Sequence, residues 1–346
     1  MSRRAGGSAT TPSADALLSA ATAEAYLVSR GLLGPAEAAT VAELGGGVSS
    51  IVLSVSTPSR AMVVKQALPR LRVEDDWRAK RERAVTEAAA LRLTGSLTPG
   101  LVPDVLDADP EACALVIARA PAAWRPWKDL LLAGTADPEL AGRLGSALAA
   151  WHRRTLDDGG VRTRFSDHEA FEQLRVDPYY RTIQRRHPEV AEAVGTLADL
   201  MPSRRRCLVH GDFSPKNVLA GPDGLWVVDW EVAHHGDPAF DVAFMVNHLL
   251  LKAIHRPRGR ARYERCCDAF FRAYQAGVRG ALPEEVPYVL GHVGCLMLAR
   301  VDGKSPAEYL SAPERGRAWR LGVTLLLEPP ADLGAAWRRL SEVVAR

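Results

Sequence analysis

Cysteine is scarce in this chain, which has five in 346 residues. Their number is odd, and their positions match neither a disulfide framework nor the ligand spacing of a zinc site. Free thiols are normal in the reducing cytoplasm, where disulfides are rare. We therefore predict five reduced thiols without a metal or redox role, in a cytoplasmic protein.

Long apolar runs are also lacking. No window approaches the length of a membrane span, and the first residues lack the apolar core of a signal peptide. The formal net charge of +3 is small, so the total charge indicates neither nucleic acid nor an anionic membrane as a partner. We expect a monomer or homodimer without nucleic-acid or membrane partners, with a disordered tail over residues 1–12.

Polar side chains are concentrated in one short segment, HGDFSPKN at positions 210–217, which is followed by DWE at positions 229–231. Strand-like runs at 207–210, 217–220 and 225–230 flank them, so we predict one hairpin that gathers Asp212, Asn217 and Asp229. Oxygen ligands of this kind suit Mg²⁺, which shares its coordination shell with substrate phosphates. Protein kinases space their catalytic Asp and their magnesium ligands similarly. A solvated turn between strands would also explain so short a pattern.

A second cluster lies upstream, in the order that a kinase requires. Glycines at positions 45–47 separate strands predicted at 40–44 and 51–56; they either supply positive φ angles or let backbone N–H groups approach phosphates. Lys65 is the one cation of an apolar strand predicted at 61–68, which is costly unless Lys65 is paired or faces a ligand. We choose Glu87 as its partner over Glu82, because Glu87 sits in the more apolar part of a helix predicted at 82–94.

With these motifs the sequence, from about residue 40 to about residue 310, resembles the aminoglycoside phosphotransferase and choline kinase superfamily, which are small-molecule kinases with a protein-kinase-like fold. Its N-terminal half is most similar to methylthioribose kinases. That similarity is carried by VKQALP at 64–69 with Arg72, ERA at 82–84 leading to Glu87, VPDV at 102–105, and Asp109. Two positions depart from methylthioribose kinases: Asn217 is present where they usually lack it, and of their tandem arginines only Arg300 remains, after Ala299.

The resemblance implies an α+β, bilobal fold. A small lobe at 13–119 would hold a five-stranded antiparallel sheet and a helix, and residues 120–127 would link it to a larger, mostly helical lobe at 128–346 that carries the catalytic β-hairpins. In this architecture the adenine of ATP lies against the backbone near Ile117 to Arg119.

The resemblance also implies roles for individual residues, with ATP and Mg²⁺ as cofactors. Asp212 would be the catalytic base, Asn217 and Asp229 would bind the metal, and Lys65, oriented by Glu87, would hold the phosphates. The other implied contacts are Gly45, Gly46, Gly47 and Ser49 over the phosphates, Ile117 and Arg119 at the adenine, Glu231 and Arg300 at the substrate, and His210 and Asp241 bracing the catalytic loop.

The stretch from Lys252 to Arg279 bears on the substrate because it is strongly basic. A solvated basic helix face is the plainer explanation. Aminoglycoside kinases commonly use an acidic surface in this region for polycationic drugs, so we favour a neutral or anionic hydroxyl substrate: a sugar, nucleoside or related metabolite, with natural products and antibiotics included. The alternatives are an aminoglycoside-type antibiotic phosphotransferase and a catalytically inactive nucleotide-binding regulator on the same fold.

Overall fold

The computed structural model describes residues 17–45, 49–72, 79–282 and 285–345, so the tail predicted at 1–12 lies outside the described residues. The chain divides into two compact units, one comprising Met1–Ala88 and Asp104–Arg119 and the other Ala89–Pro103 and Ala120–Arg346. One five-stranded antiparallel sheet and a larger helical part confirm the predicted α+β fold class.

The first unit is built on a sheet with the strand order β1-β2-β3-β5-β4 and antiparallel neighbours throughout. Its strands are β1 (Thr40–Glu43), β2 (Ser50–Ser56), β3 (Ala61–Ala67), β4 (Val105–Asp109) and β5 (Ala114–Ala118), and its helices are α1 (Ala23–Ser29) and the first part of α2 (Arg83–Leu97). Leu53 and Val55 of β2 and Met62 and Val64 of β3 form one buried core with Tyr26 of α1. Alternate strand positions thus face the core, as the period of a strand requires.

The second unit is mainly helical. Its helices are α3 (Trp127–Leu132), α4 (Pro138–Arg154), α5 (Gly159–Arg164), α6 (Glu169–Phe171), α7 (Thr182–Arg186), α8 (Ala191–Leu200), α9 (Pro238–His255), α10 (Arg260–Val278), α11 (Val286–Asp302), α12 (Ala312–Leu327) and α13 (Leu333–Ala345). A π-helix, Glu172–Arg181, joins α6 to α7.

Two small sheets replace the single hairpin that the sequence predicted. The strands β8 (Val218–Gly221) and β9 (Gly224–Val227) form a hairpin, and β6 (Arg125–Pro126), within the predicted linker, pairs with β8. By contrast, β7 (Cys207–Val209) pairs with β10 (His234–Gly236). The runs predicted at 217–220 and 225–230 thus form a hairpin, whereas the expectation that the run at 207–210 belongs to the same hairpin was wrong. Strands of three or four residues carry too little pattern to specify their partners.

Close approach of α4 and α10 shapes the helical core. Asp137 caps α4 by accepting a hydrogen bond from Glu139 N at 2.9 Å, and Leu144, Leu148 and Trp151 are buried at helical spacing. Gly145 faces α10 so closely that a β-carbon there would collide with the backbone oxygen of Phe270. A glycine is needed at this contact for space rather than for backbone freedom.

The five cysteines are unpaired and buried. Burial raises the pKa of the Cys207 and Cys295 thiols well above the ordinary value. Among the helices of the described residues, none combines the length and apolar character needed to cross a membrane.

Substitution of two glycines in α4 tests the helix contact. Gly145→Ala should lower the free energy of unfolding by about 1–3 kcal/mol, because the added methyl group must push α10 away. Gly142→Ala is the matched control: its β-carbon would lie 3.9 Å from Ala269 O, an ordinary contact, so the helix propensity of Ala should leave stability unchanged or raise it. Urea unfolding of both variants measures the difference, and equal losses would contradict the close packing at Gly145.

Candidate active site

The loop after β7 is held by one carboxylate at the start of α9. Asp241 accepts hydrogen bonds from His210 N at 2.7 Å and Gly211 N at 2.9 Å, and His152 Nε2 lies 3.4 Å from the same side chain. Gly211 has a φ of +75°, and a β-carbon there would lie 2.8 Å from Val232 O, so both conformation and space require glycine. Asp241 therefore fixes the backbone immediately before Asp212.

His210 connects this loop to the segment that precedes Asp229. Its Nδ1 accepts a hydrogen bond from Asp212 N at 3.1 Å, so the proton resides on Nε2, which donates to Val228 O at 3.1 Å. Burial lowers the pKa of His210 although Asp241, Asp212 and Asp229 oppose the shift, so the ring is neutral at pH 7. A neutral His210 holds both segments through hydrogen bonds without adding charge to the site.

Asp212 is buried, with 2% of its surface exposed, and it has two cationic neighbours. Arg175 Nη2 lies 2.7 Å and Lys216 Nζ 2.8 Å from its Oδ2. Burial alone would raise the pKa of Asp212, but the Arg175 and Lys216 charges outweigh it and hold that pKa below the ordinary value, against the opposing charge of Asp229. The side chain is therefore a carboxylate at neutral pH.

Arg175 is a residue of the site that sequence reasoning missed. It lies in the π-helix Glu172–Arg181, an element found often at functional sites. Besides facing Asp212, its Nε donates to Gly211 O at 2.9 Å and its Nη1 donates to Leu174 O at 2.6 Å. The available signal was a cation between two apolar residues, Leu174 and Val176, the same signal that drew attention to Lys65.

Asn217 directly precedes β8, the first strand of the β8–β9 hairpin, and Asp229 follows β9, its second strand. Asn217 ends the 3₁₀ turn Pro215–Asn217, its Nδ2 donates to Asp212 O at 3.0 Å, and its carbonyl oxygen accepts from Val228 N at 2.9 Å. Asp229 has a φ of +70°, a backbone conformation that non-glycine residues rarely adopt and that is concentrated at functional sites. The arrangement brings Asp212, Asn217 and Asp229 into one neighbourhood, as the sequence predicted, although the strands pair differently.

The candidate metal ligands, Asn217 and Asp229, suit Mg²⁺ better than a metal ion that is held by protein side chains alone. Within the described residues there is no cluster of three or more His, Cys, Asp and Glu side chains suited to a metal. One Asn oxygen and one Asp carboxylate make a two-residue oxygen set, and Mg²⁺ is typically held by one or two carboxylates together with substrate phosphates.

The two predicted substrate contacts lie in different surroundings: Glu231 is close enough to Arg175 for their charges to interact, and Arg300 lies in α11. Glu231 is buried, with 5% of its surface exposed, and its charge acts on Arg175. Arg300 lies near the end of α11, where its Nη1 donates to Ser305 Oγ at 2.8 Å and to Ser305 O, while its buried Nε has no hydrogen-bond partner in the described residues. Trp230, which directly precedes Glu231, is buried against the ring of His210, with 4.4 Å between the ring centroids.

In the first unit, Lys65 is paired with Glu87. Lys65 Nζ lies 2.7 and 2.8 Å from the two carboxylate oxygens of Glu87, and both side chains are buried. Glu82, the alternative partner weighed from the sequence, is exposed. The positive charge of Lys65 in the apolar strand β3 is therefore balanced by the Glu87 carboxylate of α2.

The glycine turn is described only at its edges: Gly45 and Ser49 are described, whereas Gly46 and Gly47 lie outside the described residues. Arg83, fully buried at the start of α2, donates to Ser49 O and, at 2.9 Å, to Leu68 O, and so ties the end of the turn to the end of β3. From the sequence, Arg83 was named only as part of the ERA motif at 82–84 and was assigned no structural role.

The predicted adenine contacts lie at the end of β5. Ile117 is buried within β5, while Arg119 follows it and donates from Nη1 to Ser56 Oγ at 3.1 Å. Arg119 N also donates to Ala61 O at 3.2 Å. The backbone of this segment is therefore held to β3 and β2.

Comparison with known proteins identifies the family. A family model described as the phosphotransferase enzyme family APH matches residues 40–283. The chain is 26% identical over 246 residues to methylthioribose kinase 2 of Oryza sativa subsp. japonica, covering 63% of this chain and 58% of that protein. It is 27% identical over 253 residues to methylthioribose kinase of Geobacillus thermodenitrificans, covering 64% and 62%. The chain thus spans about three fifths of the length of these curated relatives.

Solved structures show the same fold. LicA in complex with AMP matches with a TM-score of 0.50 at 18% identity, covering 94% of this chain and 97% of that chain. Amicoumacin kinase hAmiN, solved with AMP-PNP and Ca²⁺, matches with a TM-score of 0.53 at 14% identity, covering 89% and 94%. With a family model that spans most of its length, the chain belongs to the APH phosphotransferase enzyme family, as its motifs predicted.

Proposed function

We propose that this protein is an ATP- and Mg²⁺-dependent kinase that transfers the γ-phosphate to a hydroxyl group of a small molecule. The observation that carries the proposal is a buried Asp212 kept ionised by Arg175 and Lys216 beside Asn217 and Asp229. Membership of a phosphotransferase family supports the same reaction class.

Asp212 would orient the substrate hydroxyl and accept its proton. A low pKa makes this carboxylate a weak base toward a free alcohol, so its main task is to aim the oxygen at the phosphorus and take the proton as the new bond forms. Asp241 and His210 position it by accepting hydrogen bonds from the backbone N–H groups of Gly211 and Asp212. Positioning of this kind supplies much of the rate enhancement in phosphoryl transfer, where the protein does little covalent chemistry.

Asn217 and Asp229 would hold the magnesium, which when bound neutralises negative charge on the phosphates. Lys65, balanced by Glu87, would contact the phosphates, under backbone N–H groups of the turn that begins at Gly45. In this proposal residues 13–119 form the nucleotide-binding lobe, 120–127 the linker, and 128–346 the lobe that carries the catalytic residues and binds the acceptor.

The acceptor is proposed to be a sugar or a sugar-like metabolite. The support is the similarity to methylthioribose kinases, at 26–27% identity over about three fifths of their length. Glu231, buried near Arg175, would accept a hydrogen bond from a second hydroxyl of the acceptor. An ATP-consumption screen across sugars, nucleosides, amino alcohols and aminoglycosides would test the acceptor class.

Asparagine substitutions separate catalysis from metal binding. Asp212→Asn should leave nucleotide affinity near the wild-type value and lower turnover at least ~10²-fold, the loss typical of a general base. Asp229→Asn should weaken magnesium binding and turnover together, because a neutral amide is a poorer ligand for a hard dication.

Calorimetry with ATP and Mg²⁺ beside steady-state turnover distinguishes these losses. Asp223→Asn, at the exposed turn between β8 and β9, is the control and should behave as wild type. Near-normal turnover of Asp212→Asn would contradict the catalytic role, and a folded wild type that binds no nucleotide would contradict the kinase.

The pH dependence of turnover tests Arg175. Activity requires Asp212 as a carboxylate, so turnover is lost as the pH falls through the pKa of Asp212. Removing the Arg175 charge raises that pKa, so Arg175→Met should move the acid limb of the pH profile to higher pH and lower the maximal rate. Arg181→Met, which removes an arginine of the same π-helix that is paired with Asp199 at 2.6 Å, should leave the acid limb in place. An unshifted limb in Arg175→Met would show that Arg175 does not set the ionisation of Asp212.

A further inference from the structure

A line of side chains on α9 leads away from the candidate active site. Phe244, His248 and Lys252 are separated by four residues each, so they lie on one face of the helix, on successive turns. The line begins at the site, because the Arg175 guanidinium lies 6.0 Å from the centroid of the Phe244 ring, and it continues to His248, 5.3 Å from that ring. With a rise of about 1.5 Å per residue, Lys252 is about 12 Å along the axis from Phe244.

Lys252 at the far end is buried, and the described residues supply no counter-ion for it. Only 1% of its surface is exposed, and within the described residues it has no hydrogen-bond acceptor and no carboxylate at ion-pair distance. Its Nζ lies 5.2 Å from the centroid of the Tyr309 ring, at the distance of a cation–π contact. Burial first, then the charges of Arg300 and Lys128, lower the pKa of Lys252 to about 7. A buried ammonium in this state is costly and would be stabilised by an anion.

The charges around Lys252 do not balance. Arg300 and Lys128 are cations, and the carboxylate that acts on Lys252, Glu308, is already paired with Lys128 at 2.5 Å. Two further donors nearby are buried and have no hydrogen-bond partner in the described part of the chain, Nε of Arg300 and the hydroxyl of Tyr309. Nζ of Lys252, Nε of Arg300 and the hydroxyl of Tyr309 are thus three donor groups of neighbouring side chains for which the described residues supply no acceptor.

We propose that Lys252, Arg300 and Tyr309 bind an anionic group of the acceptor substrate, a carboxylate or a phosphate, while its hydroxyl lies at Asp212. This inference rests on the proposed kinase function and narrows its substrate class. The distance along α9 requires an acceptor whose anionic group is several bonds away from the phosphorylated hydroxyl. The other basic residues after Lys252, such as Arg256 and Arg258, are exposed, so the basic stretch as a whole is not the recognition element.

Matched acceptors test the charge requirement. Turnover of D-gluconate would be compared with that of D-glucose, and turnover of D-ribose 5-phosphate with that of D-ribose. We expect a value of kcat/KM at least about tenfold higher for an acid than for its neutral counterpart, as expected for a charge-assisted contact. The first pair reports on a carboxylate and the second on a phosphate. Neutral acceptors that are turned over as well as both acids would overturn the inference.

Substitution of Lys252 assigns the effect to this residue. Lys252→Met keeps the length and removes the charge, so it should raise KM for the preferred acid about 10- to 100-fold, leave kcat nearly unchanged, and leave turnover of the neutral counterpart unaltered. Its folding is not at risk, because removing an uncompensated buried charge should maintain or raise the melting temperature. Lys252→Arg should restore part of the affinity. Arg258→Met, which removes an exposed cation just after the same helix, is the control and should match wild type.

Binding measurements keep this inference distinct from the kinase proposal. Calorimetry of D-gluconate and D-ribose 5-phosphate with the wild type, Lys252→Met and Arg258→Met needs no turnover. Binding that is lost only in Lys252→Met supports the anion site even if phosphoryl transfer is absent. Binding of neither acid to the wild type, or equal binding to Lys252→Met, overturns the site, whereas absence of ATP and Mg²⁺ binding would overturn the kinase.

Discussion

The buried carboxylate of Asp241 is the interaction on which the candidate active site depends. It lies in the first turn of α9, where the helix dipole favours a negative charge, and it accepts two backbone hydrogen bonds from consecutive residues of the loop after β7. Because those residues directly precede Asp212, the direction of the Asp212 carboxylate follows from a side chain that need not touch any substrate. Without this anchor, a loop that contains a glycine at positive φ would have many conformations available.

The remaining contacts of the site extend from that anchor. His210 donates a hydrogen bond to Val228 O, and Val228 N donates one to the backbone oxygen of Asn217. The residue before Asp229 is therefore fixed by two hydrogen bonds. Those hydrogen bonds offset the free-energy cost of the left-handed backbone conformation at Asp229, which is of order 1–3 kcal/mol. Charge also stabilises the site: Arg175 and Lys216 both lie beside the Asp212 carboxylate, and their positive charges keep it ionised although it is buried.

The sequence predicted those features that depend on residue type within one element. A lone cation in an apolar strand predicted that Lys65 is paired, whereas the five-stranded sheet was implied by the family resemblance. Features that depend on contacts between distant segments could not be predicted in this way. Three such features are the pairing of β7 with β10, the approach of Arg175 to Asp212, and the burial of Lys252 with no counter-ion among the described residues. Each arises from tertiary packing, which no local pattern encodes.

Burial of all five cysteines makes the protein's own thiols reporters of its motions. Alkylating reagents attack the thiolate, and a buried thiol with a raised pKa is almost unreactive until its surroundings open. The positions differ usefully: Cys113 lies in the first unit, Cys207 begins the strand before the loop that carries Asp212, and Cys295 lies within α11. The rate at which each is alkylated therefore measures local opening of one part of the native protein, without any added label.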